Sequence, residues 1–383
     1  MSTNQNIIAI CNHCFDREII NKLIAENGMK DFSDYFCIRC SICNRKLEDD
    51  IFYIEKDDLL EKLAEAIKNL YVHIDRYALA GGGRESYVSL EQICLELYGD
   101  KVAQKVAQMI SDEFSWEHKD GGGSFGDIND PEWLPICWLE QEGLNWDRFS
   151  QEVKHSLRFF DTNNLNRKEE LQKLDRFFER ICISDLKREV FRSRGIHEDA
   201  IETVKSNPET ELGIAPSKLA KHNRFSPTGI SYMYLASDEQ TAIHEVFDEI
   251  YYIYPVGQFE LKENLKIIDL RKSSVNNYIQ KYTNPFSNEF ESSIFCASEV
   301  IEKFVEEIQK PIDNESKDLE YLPTQILAEY IRLLGYKGFI FDSSKNIDGY
   351  NIVLFANEVI YKEYELKRVS STTNLKISKF VDA

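Results

Sequence analysis

The chain has 383 residues, and its 66 acidic and 46 basic side chains give a formal net charge of −20. A surface this acidic repels phosphate backbones, so nucleic acid is disfavoured as a partner, and no stretch approaches the roughly 18 apolar residues of a membrane span. The first residues, MSTNQNIIAICNHC, lack the basic start and the long apolar run of a signal peptide. We therefore expect a cytoplasmic protein of several domains whose nine cysteines are metal ligands or buried thiols.

Residues 1–50 form a Cys-rich zone. Two C-x-x-C pairs lie in it, formed by Cys11 with Cys14 and by Cys40 with Cys43. Pairs of this spacing supply the four thiolates of a tetrahedral zinc site, and four thiolates leave no position for water. We predict a structural zinc that stabilises a module too small to hold a core of its own. Two alternatives stay open, because Cys37 can replace Cys40 or Cys43 as a ligand and the thiols can also be unligated.

Residues 51–165 are predicted to form an α-helical middle domain. One apolar stripe has helical spacing, at Leu59, Leu63, Ile67, Leu70 and Ile74, and the glycines at 81–83 are predicted to end that helix. Ser89 and Gln92 form a capping box that opens the next helix. A further stripe consists of Phe149, Val153, Leu157 and Phe160. Residues 166–187 are then expected to form a connecting helix.

Residues 188–360 alternate strand and helix signals, which predicts an α+β domain, and residues 361–383 are expected to form a tail. Residues 231–236 read as a strand, and Ser237 and Gln240 as a capping box before a helix with Ala242, Val246 and Ile250 on one face. Residues 251–268 predict two strands, and residues 324–334 predict a helix that stops at Gly335. Residues 338–342 and 352–355 predict two buried strands.

Polar residues stand at the ends of these elements in a distinctive order. The order is R…R-F-S-x-x-G…Y-L-A-S…A-x-x-E-V…D-S-S…N-x-V-L-F. Over roughly residues 188–355 it resembles the RES domain family. The resemblance implies a fold similar to ADP-ribosyltransferases, action on NAD, and a role as the toxin of a bacterial toxin–antitoxin pair. The chain departs from the family's usual G-R-W-N at one place, where it has Asn223-Arg224-Phe225-Ser226.

The resemblance assigns a catalytic set to Arg224, Glu245 and Ser343. It assigns cofactor contacts to Arg192, Arg194, Tyr234, Phe225, Ser344 and Asn351. These residue types suit the chemistry, because the planar fork of arginine binds phosphate oxygens and a carboxylate stabilises the positive charge that develops on a ribose as nicotinamide leaves. Each residue taken alone is more often structural, so the prediction depends on their occurring together in this order.

The leading hypothesis is a toxin or defence effector that cleaves the nicotinamide–ribose bond of NAD by hydrolysis or phosphorolysis and depletes cellular NAD. The alternatives are transfer of ADP-ribose to a protein, nucleotide binding without turnover, and RNA cleavage. RNA cleavage is among the alternatives because residues 51–165 resemble the helical domain of the HEPN superfamily. Many members of that superfamily carry an R-x4–6-H motif, and Arg148 and His155 fit its spacing. We expect NAD as substrate, an antitoxin or another regulatory protein as partner, and assembly into a homo-oligomer.

Overall fold

The structure of this protein is a computed structural model. It describes residues 8–28, 39–46, 51–73, 87–113, 125, 127–139, 145–158, 167–310, 317–369 and 377–379. The chain divides into two compact units. The first comprises Met1–Glu142 and Lys281–Cys296, and the second comprises Gly143–Gln280 and Ala297–Ala383. These limits do not coincide with the domain boundaries expected near residues 50, 165 and 187.

The first unit combines helices with short strands. Its elements are β1 (Ala9–Cys11), α1 (Glu18–Asn27), β2 (Tyr53–Glu55), α2 (Lys56–Leu70), β3 (Tyr71–His73), β4 (Val88–Ser89), α3 (Leu90–Tyr98), α4 (Ala103–Glu113), β5 (Pro131–Pro135) and α5 (Ile136–Leu139). Strand β1 pairs antiparallel with β2, and β3, β5 and β4 form a three-stranded antiparallel sheet. The prediction of a purely helical middle domain is therefore wrong, since it missed this sheet.

The predicted stripe on α2 is confirmed as far as Leu70, because Leu59, Leu63 and Ile67 are buried. The helix ends at Leu70 and the chain continues directly into β3. Ile74 and the glycines at 81–83 lie outside the described residues. The predicted capping box is confirmed, since the Gln92 backbone N–H donates to Ser89 Oγ at 3.2 Å and the Ser89 N–H donates to Gln92 Oε1 at 2.8 Å.

The Cys-rich zone and the helices of the first unit share one hydrophobic core. Cys11, Cys14 and Cys40 belong to the same buried cluster as Leu60 on α2 and Ile93 on α3. Burial of apolar surface is the main favourable contribution to folding, and here it extends continuously from the cysteines to the helices. The zone therefore packs on the helices and shares their core, which fits the expectation that it is too small to hold a core of its own.

The second unit is built around a large sheet. Before and within the sheet come α6 (Trp146–His155), α7 (Arg167–Gln172), α8 (Asp175–Arg180), β6 (Cys182–Ile183), β7 (Glu189–Ser193), α9 (Ile201–Ser206), α10 (Pro208–Leu212), β8 (Met233–Ala236), α11 (Glu239–Val246), β9 (Ile253–Leu261) and β10 (Ile267–Asp269). The remaining elements are α12 (Lys272–Thr283), α13 (Ser292–Gln309), α14 (Lys317–Glu320), α15 (Leu322–Leu333), β11 (Gly338–Asp342), β12 (Tyr350–Leu354), β13 (Val359–Val369) and β14 (Ile377–Lys379). The limits between the units fall within α12 and α13.

The sheet has nine strands in the order β14-β13-β9-β7-β8-β12-β11-β10-β6. Strands β10 and β11 are parallel, and the other neighbouring pairs are antiparallel. Apolar side chains from the central strands, among them Val190, Met233, Ile340 and Ile352, form a buried core on the sheet. The α+β prediction for this region is confirmed, and so are the predicted strands that became β8, β9, β10, β11 and β12.

Three local predictions in this unit are wrong. The connecting helix is broken into α7 and α8, and the chain then enters β6. The helix after β8 is capped by Asp238, whose Oδ1 accepts from the Thr241 N–H at 2.8 Å, and Ile250 lies beyond its end with 57% of its surface exposed. Residues 361–369 form most of β13 and are not a tail. Within the part of the chain that the structure describes, no helix is long and apolar enough to cross a bilayer.

Candidate functional site

A cavity of about 750 Å³ opens in the second unit. This is within the size range of pockets that hold small molecules and cofactors. Its walls come from β7, β8, α11, the end of β11, β12 and the loop that precedes β8. Seven of the nine predicted site residues line it, namely Arg192, Arg224, Phe225, Tyr234, Glu245, Ser344 and Asn351. The polar residues that the sequence scatters over some 160 positions are thus brought to one cavity.

Glu245 lies in the last turn of α11, and its carboxylate is held from two sides. Its Oε1 accepts a hydrogen bond from Ser343 Oγ at 2.5 Å and another from Asn351 Nδ2 at 2.8 Å. Among the described residues, none donates a hydrogen bond to its other oxygen, Oε2. A carboxylate fixed on one oxygen and open on the other can stabilise positive charge or accept from a hydroxyl inside the cavity.

Ser343 supports this carboxylate from outside the cavity lining. Its hydroxyl is buried and donates to Glu245, while its oxygen accepts from the backbone N–H groups of Lys345 at 3.2 Å and Asn346 at 3.1 Å. A hydroxyl has one proton to donate. This proton is used on Glu245, so in this arrangement Ser343 positions the carboxylate, whereas the resemblance assigned Ser343 to the catalytic set.

Arg224 lies in the loop before β8, and its guanidinium contacts the carboxyl end of α13. Its Nη1 donates to the backbone carbonyl of Glu307 at 2.6 Å, and its Nη2 donates to that of Lys310 at 2.6 Å. The guanidinium lies 5.5 Å from the centre of the Tyr321 ring. Burial lowers the pKa of Arg224, and Tyr321 and Glu307 act in the opposite direction. The helix end holds the guanidinium while the rest of its five N–H donors stay available to an anion.

Arg192 on β7 is a partly buried cation that has no carboxylate partner among the described residues. Burial, reinforced by the charge of Arg194, lowers the pKa of Arg192 from 12.5 to about 10. Its hydrogen bond goes to the sulfur of Met233, from Nη1 to Sδ at 3.0 Å. No carboxylate of the described residues forms an ion pair with it. A desolvated charge of this kind destabilises a fold unless a partner neutralises it, which points to an anionic ligand in the cavity.

Tyr234 lies on β8, and its hydroxyl is 3.0 Å from Ser226 Oγ. Burial raises the pKa of Tyr234, so its hydroxyl is protonated at neutral pH. Phe225 is only 1% exposed and meets the rings of Phe339 and Phe341 edge-on, at 4.8 and 5.3 Å between ring centres. Phe225 therefore forms part of the apolar wall of the cavity. This position does not support the predicted specific contact of Phe225 with the cofactor.

Arg194 is not part of the cavity. It follows the last residue of β7, and its guanidinium forms an ion pair with Glu211 on α10. The alternation of a strand no longer fixes the direction of a side chain once the strand has ended. The structure thus pairs Arg194 with Glu211 outside the cavity lining, and this position gives no support to the predicted cofactor contact.

Sequence reasoning missed several residues of the lining. They are Lys221, Lys317, Tyr321, Asp342 and Lys345. Lys221 lies three residues before Arg224, and Asp342 and Lys345 flank the two serines of the motif. Their positions next to motif residues could therefore have pointed to the site. Lys317 and Tyr321 belong to α14 and the turn after it, where no motif marked them. Asp342 Oδ2 accepts from the Lys272 N–H at 2.8 Å and so caps α12.

The four predicted zinc ligands converge in the first unit. The sulfur atoms of Cys11, Cys14, Cys40 and Cys43 all lie within 4.8 Å of one another. The Sγ–Sγ distance is 3.7 Å from Cys11 to Cys14 and to Cys43, and 3.4 Å from Cys14 to Cys40. A tetrahedron with Zn–S bonds of about 2.3 Å has edges of about 3.8 Å, so the cluster could hold a metal ion. Cys37 lies outside the described residues.

The second cysteine pair is also tied to α4. Lys105 Nζ donates to the backbone carbonyls of Ser41 at 2.9 Å and Ile42 at 2.7 Å, in the turn between Cys40 and Cys43. The Cys11 N–H points at the sulfur of Cys40, with 3.4 Å between the two atoms. Backbone donors of this kind stabilise a thiolate. The turn is thus held in place by α4.

Arg148 and His155 both lie on α6, as the R-x4–6-H spacing requires. Arg148 forms an ion pair with Glu170, from Nη2 to Oε1 at 2.6 Å, and that carboxylate is only 8% exposed. His155 is exposed at the end of the helix. The pair of Arg148 and Glu170 has a structural explanation, so this geometry gives no argument for RNA cleavage.

Comparisons with known proteins bear on the second unit. No curated protein matches the chain. A solved structure, that of the M. tuberculosis MbcT–MbcA toxin–antitoxin complex, contains a chain with 11% sequence identity to this one. The match covers 51% of this chain and 89% of that chain. Its TM-score of 0.28 is too low to establish a shared fold. Residues 205–372 match the family model of the RES domain. This range contains five of the predicted site residues, namely Arg224, Tyr234, Glu245, Ser343 and Asn351.

Proposed function

We propose that the second unit binds NAD in this cavity and cleaves its nicotinamide–ribose bond. One observation carries the proposal. Glu245, whose carboxylate is fixed by two hydrogen bonds, faces the same cavity as two guanidinium groups that pair with no carboxylate in the described part of the chain. The RES domain match over residues 205–372 supports it independently, since members of that family act on NAD.

The ligand's diphosphate suits the guanidinium groups. Arg192 and Arg224 supply N–H donors that phosphate oxygens accept in a bidentate or bridging manner, and the binding energy offsets the burial of the two cations. With the diphosphate held there, the nicotinamide-bearing ribose is placed toward Glu245. Tyr234, which is protonated, can donate to a ribose oxygen or contact a ring.

The reaction breaks the bond between ribose C1 and the nicotinamide nitrogen. The bonding electron pair leaves with nicotinamide, which becomes neutral, and positive charge develops on C1 and the ring oxygen of the ribose. Glu245 stabilises that charge, and Ser343 and Asn351 keep its carboxylate in place. A nucleophile then bonds to C1 and releases its proton. Water, phosphate and a protein side chain are all compatible acceptors.

Release of nicotinamide tests the proposal directly. Purified protein is incubated with NAD, and free nicotinamide is quantified by chromatography. We expect release by the wild type and a loss of at least about a hundredfold in Glu245→Gln, the magnitude that removal of one transition-state-stabilising group produces. Glu249→Gln removes a charge from an exposed site near α11 and should retain activity. Absence of release from the wild type, or equal rates in both variants, would refute the proposal.

The RES domain match also supports a toxin or defence effector that depletes cellular NAD. Induced expression of the wild type should then lower NAD and arrest growth, whereas Glu245→Gln expressed at the same level should not. Growth arrest by Glu245→Gln would reject NAD depletion as the cause. If label from NAD labelled in its adenine stays with a protein, the acceptor is a protein and the reaction is ADP-ribosyl transfer.

We further propose that the four cysteines of the first unit hold a structural zinc ion. Cys11, Cys14, Cys40 and Cys43 would be its ligands, and zinc would stabilise the fold without taking part in the reaction. Metal analysis should give one zinc per chain, and Cys14→Ala should lose it together with thermal stability. Cys94→Ala removes another buried thiol of this unit and should keep the metal. A zinc-free wild type of unchanged stability would overturn this assignment.

A further inference from the structure

The cavity is cationic although the chain as a whole is strongly acidic. Against a formal net charge of −20 for the chain, five cationic and two anionic side chains line the cavity. The cations are Arg192, Lys221, Arg224, Lys317 and Lys345, and the anions are Glu245 and Asp342. A concentration of one sign of charge in a cleft attracts ligands of the other sign.

None of the five cations forms an ion pair with a carboxylate of the described residues. Arg192 donates to a sulfur atom, Arg224 to two backbone carbonyls, and Lys345 Nζ to the backbone carbonyl of Glu245 at 2.8 Å. Over the same described ranges, the ammonium groups of Lys221 and Lys317 make neither a hydrogen bond nor an ion pair. Elsewhere in the second unit lysines are paired, as Lys154 is with Glu320 and Lys303 with Asp147.

The two unpaired lysines come from elements that surround one aromatic ring. The Tyr321 ring lies under the Arg224 guanidinium and stacks on His222 with 5.4 Å between ring centres. Lys221 is adjacent to His222, and Lys317 lies one helical turn before Tyr321, whose N–H donates to the Lys317 carbonyl at 3.1 Å. We call Lys221, His222, Lys317 and Tyr321 the Tyr321 rim. These four residues lie on different elements from Glu245. Asp318, which is 97% exposed, lies 3.7 Å from His222.

NAD does not account for all this charge. It carries two phosphate groups and a positive nicotinamide, and Arg192 and Arg224 suffice for the diphosphate. The Tyr321 rim has two further ammonium groups, and these suit an additional phosphate on the dinucleotide. The 2′-phosphate of NADP adds about −1.5 to −2 charges at pH 7, and lysine binds phosphate as a point charge.

We propose, on the basis of the proposed function, that the preferred substrate is NADP and that Lys221 and Lys317 bind its 2′-phosphate. The adenine-bearing end of the dinucleotide then lies at the Tyr321 rim, and the nicotinamide end lies at Glu245. The same two lysines could instead hold a free phosphate ion that serves as the acceptor, so the experiment must separate the two sources of phosphate.

The first arm compares kcat/KM for NADP and NAD in the wild type and in the double variant Lys221→Met, Lys317→Met. We expect the wild type to favour NADP, and the double variant to lower the NADP-to-NAD ratio about tenfold to a hundredfold, the effect of losing charged hydrogen bonds to one phosphate. Lys218→Met removes an exposed lysine outside the cavity and should leave the ratio unchanged. A wild type that favours NAD, or a double variant that weakens both substrates equally, overturns the proposal.

The second arm keeps the inference distinct from the proposed reaction. Binding of NADP and NAD to Glu245→Gln is measured by calorimetry, with and without the two lysine substitutions. Tighter binding of NADP that depends on the lysines supports the subsite even if no nicotinamide is released, and equal affinities overturn it. Inorganic phosphate that accelerates NAD cleavage, an effect lost in the double variant, would assign the lysines to free phosphate and overturn the NADP assignment.

Discussion

Replacing Arg192 by Met should make the protein more stable and less active at the same time. The side chain is partly buried in the second unit, its hydrogen bond goes to the sulfur of Met233, and no carboxylate among the described residues pairs with it. Methionine has a similar length and no charge, so it can occupy the same space next to Met233. The substitution removes a charge that only a bound anion would compensate.

The magnitude follows from the pKa of Arg192, which burial lowers from 12.5 to about 10. Each pKa unit corresponds to about 1.4 kcal/mol, so the charged form in the folded state costs on the order of 3 kcal/mol. Because the folded pKa is below the unfolded one, this cost is present at neutral pH and disappears only as the pH rises from about 10 toward 12.5. Water in the cavity reduces it, and we expect Arg192→Met to gain about 1–3 kcal/mol, which is a few degrees in Tm.

Thermal unfolding at pH 7.5 measures the stability, and nicotinamide release measures the activity. Arg192→Met should unfold at a higher temperature than the wild type and lose at least tenfold in kcat/KM, because a charged hydrogen bond to phosphate contributes about 1.5–3 kcal/mol. Arg194→Met is the matched control, since it breaks the ion pair with Glu211 and should lower stability slightly without a comparable loss of activity. If Arg192→Met lowers Tm or retains full activity, the idea of an anion site at Arg192 is wrong.

Two further predictions concern single contacts. Asn351→Ala removes a 2.8 Å hydrogen bond to Glu245 and should lower kcat about tenfold to a hundredfold with little change in KM. The control variant Asn346→Ala, in the neighbouring loop, should keep the kcat of the wild type. Equal kinetics in the two variants would contradict a positioning role for Asn351. Arg148→Ala leaves the buried Glu170 uncompensated. Burial already raises the pKa of the Glu170 carboxyl above 4.5, so the stability lost in this variant should grow as the pH rises and the carboxyl becomes charged. Thermal unfolding of the variant and the wild type at pH 5 and pH 7.5 measures the loss. An equal loss at both pH values would refute the prediction.

Local signals predicted the elements whose ends are encoded by nearby residues. Gly335 has a φ of +91°, a left-handed conformation that glycine adopts without strain, and the predicted helix before it ends there. Ser89 and Gln92 bond reciprocally as their spacing predicts. After β8, two residues in succession are able to cap, and a sequence pattern cannot tell which one accepts from the helix. Asp238 does so, and Ser237 donates to it at 2.7 Å.

Elements that depend on distant partners were missed. Strand β5 begins and ends with proline and pairs with β3 and β4, which both lie far from it in sequence. No local alternation therefore revealed the small sheet of the first unit. The same holds for the Tyr321 rim, because Lys317 and Tyr321 reach the cavity only through the packing of α14 and α15 against the loop that carries Arg224. Thr324 Oγ1 donates to the Arg224 carbonyl at 2.7 Å in that contact.

The position of Glu245 depends on the register of the sheet rather than on any single residue. Asn351 on β12 lies opposite Ala236 on β8 and Phe341 on β11, so it stands beside the starts of both α11 and the loop that holds Ser343. Ser237 secures this register, since its N–H donates to the Tyr350 carbonyl at 3.0 Å and its Oγ accepts from the Tyr350 N–H at 3.1 Å. A shift of β12 by one residue would turn Asn351 to the other face of the sheet. The amide and the hydroxyl that hold the carboxylate are therefore brought together by backbone pairing, which no list of motif residues encodes.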